Sequence, residues 1–145
     1  MMFVVAGRPA FSPSGMTKNG SFATTTSFAD ITGWNADTST YPGSSVTSNT
    51  SLVVQGAKTG ATLTANIPFG SGTYTFGTGT QVRILLNGTV VGTGTAVQAS
   101  SGTATCTVTG QTVANGDLVK VQILASGYSG QPSVTTGTGT YVRVT

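Results

Sequence analysis

Catalysis and metal binding start from side chains that titrate or coordinate, and this sequence has few of them. It contains no histidine and no glutamate, three aspartates (Asp30, Asp37 and Asp117) and a single cysteine, Cys106. General acid–base chemistry needs a group that exchanges a proton near the working pH, and aspartate alone is a poor candidate. Asp30 and Asp37 are close in sequence, but a glycosidase pair needs two carboxyls facing each other across a cleft, and no such cleft is indicated. Their expected role is to accept hydrogen bonds from backbone N–H groups in turns. The serines lack a histidine or lysine partner to activate them, and no nucleophile elbow is present. Zinc needs a Cys/His cluster that this chain cannot supply, and a calcium site at Asp30 or Asp37 would lack the loop spacing calcium motifs use. The run GSGTYTFGTGT at 70–80 is rich in glycine, yet no Lys-Ser/Thr follows and no helix starts there, so it reads as a β loop rather than a phosphate cradle. The chemistry points to a protein that is not an enzyme and carries no cofactor.

The cations tell a similar story. Arg8, Lys18, Lys58, Arg83, Lys120 and Arg143 give a net charge of +3 but stand singly along the chain. They form no basic run or aromatic-interleaved stripe, so no nucleic-acid partner is expected. Cys106 alternates with Ala104 and Val108 and reads as a small buried apolar residue, unreactive and unbridged. MMFVVAG is too short for a signal-peptide core and no apolar run approaches bilayer length, so no membrane partner or export is expected.

The elements that would position these residues are strands. Of 145 residues only 6% are charged and 37% apolar, with Thr, Ser and 21 glycines supplying most of the rest. Threonine suits the exposed face of a pleated sheet and glycine the turns between strands. Alternation predicts strands at Leu52–Gln55, 61–67 (ended by Pro68), QVRILL, TVVGTGTAV, 103–109, 118–124 and 140–145. Asn87-Gly88 predicts a two-residue hairpin, and Asn115-Gly116-Asp117 a second reversal joining two strands that face one core. No stretch carries helical apolar spacing. The expected fold is an all-β antiparallel jelly-roll sandwich, with an immunoglobulin-like sandwich as the alternative.

Two domain-level divisions follow. Residues 1–20 read as an extended N-terminal docking arm, because Pro9 and Pro13 prevent regular structure while Phe3, Val4, Val5, Phe11 and Met16 supply apolar anchors. Residues 21–145 read as the β-sandwich domain. Its opening, 21–34, would anchor the core through Phe22, Phe28, Ile31 and Trp34, and Trp34 reads as a packing residue with its indole N–H bonded nearby. Residues 35–50 form a long loop turning at Tyr41-Pro42-Gly43, and 127–138 a second loop carrying Tyr128.

The arrangement QVRILLNGTVVGTGTAV, TVTGQTVANGDLVKVQI and GTYVRV resembles the C1q/tumour-necrosis-factor-like jelly roll of small phage virion proteins. FSPSGMTKNGSF, ITGWNAD and YPGSSV resemble small structural proteins of tailed actinobacterial phages, of head-decoration and minor tail types. The resemblance implies a virion protein assembled in the host cytoplasm, with the major capsid protein as partner and the arm as its docking element. It also implies a homotrimer whose subunits meet through Tyr74, Phe76, Tyr128 and Tyr141; the alternative is that these rings fill the ends of the core. The other reading is a tail-associated receptor- or carbohydrate-binding module that turns Trp34, Tyr41, Tyr74 or Tyr128 outward.

Overall fold

The computed structural model describes residues 9–145. Thirteen strands follow in order: β1 Ser14–Lys18, β2 Phe22–Ala23, β3 Ala29–Asp30, β4 Trp34–Ala36, β5 Val46–Thr47, β6 Ser51–Val53, β7 Lys58–Gly70, β8 Thr73–Leu86, β9 Thr89–Thr93, β10 Gly102–Val113, β11 Leu118–Gly130, β12 Ser133–Val134 and β13 Gly137–Val144. Every pairing is antiparallel, and no helix occurs among the described residues. One sheet runs β10–β7–β13–β1–β4, with β12 and β2 continuing beside the end of β7. The other runs β9–β8–β11–β6–β5, with β3 also paired to β11.

The long strands change sheet as the chain proceeds. β7 leads to β8 and β10 leads to β11, each time crossing from the first sheet to the second, and this winding makes the sandwich a jelly roll. Period-2 alternation puts Leu63, Ala65, Ile67, Ala104 and Cys106 on the inner face of the first sheet. Val82, Ile84, Val119, Val121 and Ile123 lie on the inner face of the second, and all of these are buried. Trp34 and Ile31 complete the core, with Trp34 Nε1 donating to the Ile31 carbonyl at 2.8 Å.

Several sequence expectations are corrected here. Asn87-Gly88 does turn a two-residue hairpin between β8 and β9, with φ of 50° and 81°. The reversal at Asn115-Gly116-Asp117 instead carries β10 over to β11 in the opposite sheet, so those strands share a core but not a ladder. Pro68 does not end its strand, since β7 continues to Gly70 with Pro68 aligned to Thr103. The loops expected at 70–80 and 127–138 are largely strand, belonging to β8, β11, β12 and β13.

The arm boundary near Gly20 also moves. Ser14–Lys18 is an interior strand, held between β13 and β4, and Met16 is fully buried in the core. Burying that side chain is worth about 2 kcal/mol, which fixes it to this body rather than to a partner. Pro13 misled the sequence reading because proline stops a strand from within but is tolerated at its start. Phe11 also packs against the core margin, with Lys58 Nζ 4.9 Å from its ring centre. Phe3, Val4 and Val5 lie outside the described residues.

Candidate functional site: an aromatic crest on a β-bulge

The aspartates are scattered over structural tasks. Asp30 Oδ2 pairs with Lys120 Nζ at 3.0 Å and its Oδ1 accepts from Gln122 Nε2 at 2.7 Å, which ties short β3 to β11. Burial works to raise the Asp30 pKa, but the bonds from Gln122 and Lys120 outweigh it and hold the carboxyl below its ordinary range. Asp37 Oδ1 accepts from the Thr40 amide and the Ser39 hydroxyl, a turn-capping role, and it too is held low. Asp117 Oδ2 accepts from the Ala114 amide, closing the β10–β11 turn. Each does what its place in a turn or sheet margin predicts. No group of three metal-ligating side chains forms among the described residues. Cys106 is buried beneath β9, and that burial pushes its thiol pKa up. A shallow groove of about 350 Å3 passes over it, lined by Gly92–Thr95 and Thr105–Thr107, without a charged group.

Aromatic residues gather in two other places. On the outer face of the first sheet, the Arg143 guanidinium lies 3.5 Å from the Tyr141 ring centre and 5.7 Å from that of Tyr41. Tyr41 is seated on β1: a Cβ placed on Gly15 would come within 2.6 Å of its ring. The 35–50 connection is thus latched across the sheet, and the Asp37 amide donates to the Gly15 carbonyl beside it.

The second cluster sits at one end of the sandwich. Tyr74 and Tyr128 are cross-strand partners with ring centres 5.4 Å apart in an edge-to-face arrangement. Tyr74 Oη donates to the Gly77 carbonyl at 2.8 Å; Tyr128 Oη bonds Thr80 Oγ1 and donates to the Ala99 carbonyl, both at 2.8 Å. These two rings are half-buried and their hydroxyls are spent on their own chain. Trp34 is buried, so neither it nor this pair turns outward as a platform.

Phe76 behaves differently. Register pairs Tyr74 with Tyr128 and then Gly79 with Ser126, which leaves Thr75, Phe76, Gly77 and Thr78 opposite the single residue Gly127. β8 therefore bulges outward, and Phe76 stands at the crest with 86% of its surface exposed. Positive φ at Gly77, Gly79 and Gly127 permits the excursion. Gly127 is also sterically required, since a Cβ there would fall inside the Phe76 carbonyl. The bulge is braced from below: Thr75 Oγ1 donates to the Gly127 carbonyl at 2.9 Å, and Gln98 Nε2 joins Tyr74 Oη on the Gly77 carbonyl. Sequence reasoning marked Phe76 with its neighbours but missed the brace from Gln98 and Ala99, which is distant in sequence. The only local signal was the density of glycine at 70–80.

Of the residues expected at a subunit contact, Tyr74 and Tyr128 are brought together at this end, and Phe76 rises above them. Tyr141 lies elsewhere, in the Arg143 stack.

No family profile matches the sequence, and no curated protein matches it. Solved structures do match by shape. Eiger TNF from S. frugiperda superposes with a TM-score of 0.60 at 12% identity, covering 94% of this chain and 92% of that one. Murine APRIL superposes with a TM-score of 0.62 at 9% identity, covering 93% and 98%. A family 35 carbohydrate-binding module from Clostridium thermocellum reaches only 0.38 at 14% identity, over 92% and 97%, too distant to bear on the argument. At these identities the likeness concerns fold: the chain has the two-sheet jelly roll of TNF-type domains over nearly its whole length.

Proposed function

We propose that the chain is a non-enzymatic virion structural protein, a homotrimeric decoration or cement protein that binds the major capsid protein of a phage head through its N-terminal segment. The observation that carries this reading is where the core starts. Among the described residues the core is assembled from Met16 onward, with Phe11 on its margin, and the chain enters the body at exposed Pro9 and Ala10. The apolar run Phe3-Val4-Val5 precedes that point in sequence. Docking those side chains would contribute about 5 kcal/mol before ordering costs, enough to hold a subunit repeated over a shell. Trimer contacts are assigned to the outer face of β13, where Tyr141 and Arg143 present the residue types that interfaces favour.

Particle fractionation tests the reading directly. The protein should co-purify with intact heads in hundreds of copies, and deleting Met1–Arg8 should abolish that attachment while leaving the thermal midpoint unchanged. Undiminished attachment of the truncated chain would defeat the arm, and recovery with tails in a few copies would defeat the head location. A tail-associated binding module is the second reading, favoured by one observation, the exposure of Phe76 on a braced bulge.

A further inference from the structure

We infer that the bulge Thr75–Thr78 is a binding site for a neutral carbohydrate, with Phe76 as its stacking platform. The inference rests on the binding-module reading and supplies its site and ligand class. Three observations carry it. Phe76 is by far the most exposed large apolar side chain among the described residues, in a body whose other large apolar groups are nearly all packed. It is also the residue that a bulge of several residues re-aims, and bulges that survive in a ladder recur beside binding sites. The bulge is rigid: Gly127 seats it, and Tyr74, Gln98 and Thr75 side chains bond the carbonyls around it. A preorganised ring loses little freedom when a ligand stacks on it.

Charge decides what fits. The segments at this end, 71–82, 94–101 and 125–133, contain no charged residue at all. A phosphate, an acidic polysaccharide or an anionic lipid surface would find no cation there. A lone ring is also too small an apolar area for a stable protein docking site. What remains is hydroxyl, amide and carbonyl around one aromatic face: the Thr78 hydroxyl, the Thr75 hydroxyl oxygen as an acceptor, its proton being spent on Gly127, and the Gln98 amide oxygen, whose nitrogen alone is spent on Gly77. A sugar ring offers the complement. Its C–H face is electropositive and lies on the negative face of an aromatic ring, while its hydroxyls meet neutral donors and acceptors at the rim.

The test uses the full chain against a panel of neutral polysaccharides (starch, cellulose, mannan, galactan and the neutral glycan fraction of host cell walls) by affinity electrophoresis, and against intact host cells by sedimentation. The wild type should be retarded by at least one neutral glycan. Phe76→Ala should lose retention at least tenfold, with an unchanged thermal midpoint and oligomeric mass, and Phe76→Trp should keep it. Undiminished retention of Phe76→Ala, or retention by none of the glycans, would overturn the site. Equal binding of wild type and Phe76→Ala to cells would overturn it while leaving the binding-module reading in place, whereas no binding to cells would remove both. A change of oligomeric mass in Phe76→Ala would make the residue a subunit contact instead.

Discussion

The two aromatic clusters use the same device for opposite ends. At the first, Tyr41 lies on Gly15 and is joined by Arg143 and Tyr141, with Asp37 close enough to feel the guanidinium. At the second, the backbone of Phe76 lies on Gly127, and everything around it is neutral. Glycine is the seat in both places because an aromatic or its backbone must approach closer than a side chain allows. The difference lies in what is presented. The charged cluster closes a long connection onto the sheet, whereas the neutral one ties down the hydroxyls of two half-buried tyrosines and raises a phenylalanine. Charge here holds a connection onto the sheet, and the uncharged end holds up an exposed ring.

The largest expected effect separates the two seats. Gly127→Ala forces a side chain against a backbone carbonyl at positive φ and should cost about 3 kcal/mol in denaturant unfolding. Gly15→Ala meets only a ring that can swing aside, and about 1 kcal/mol is expected. A larger loss at Gly15 than at Gly127 would reverse the comparison. Next in size is the hidden hydroxyl: Tyr128→Phe removes a group shared between Thr80 and Ala99 and should cost about 1–2 kcal/mol. Tyr141→Phe keeps the ring face on Arg143 and should change stability by less than about 0.5 kcal/mol.

Acid should distinguish the clusters more gently. The Asp37 carboxyl is held low despite burial, by bonds from Thr40 and Ser39 and by Arg143. A folded pKa below the unfolded one means that the stabilisation is present above the ordinary carboxylate range and is lost as pH falls through the depressed value. Hydrogen exchange in the 35–45 latch should therefore quicken as pH drops below about 4, relative to the intrinsic rate at each pH. Amides of the crest, at 74–79, should show no such loss, and Asp37→Asn should flatten the response of the latch. Equal acid sensitivity at both ends would break the distinction. The smallest effect is on Phe76→Ala itself, whose folding stability should match the wild type because its ring is already in water.

Much of this was legible in the sequence. Alternation identified the facing residues of β7, β10, β11 and β13, placed Cys106 inside, and marked the chain as an all-β sandwich, because a pleated strand imposes period 2 whatever its neighbours are. The Asn87-Gly88 hairpin was legible for an equally local reason, since its two positive φ angles are a property of those two residues. Which strand pairs with which was not local. Asn115-Gly116-Asp117 reverses the chain just as plainly, yet β10 joins β7 and β11 joins β8, because hydrogen-bonded partners are chosen by how two sheets close over one core. The same holds for Met16, which the prolines around it assigned to an arm and the space between β13 and β4 drew inside. Composition determined that the loops would be rich in glycine and aromatic rings. Only the register of β8 against β11, four residues against one, decided that Phe76 would be the most exposed of those rings.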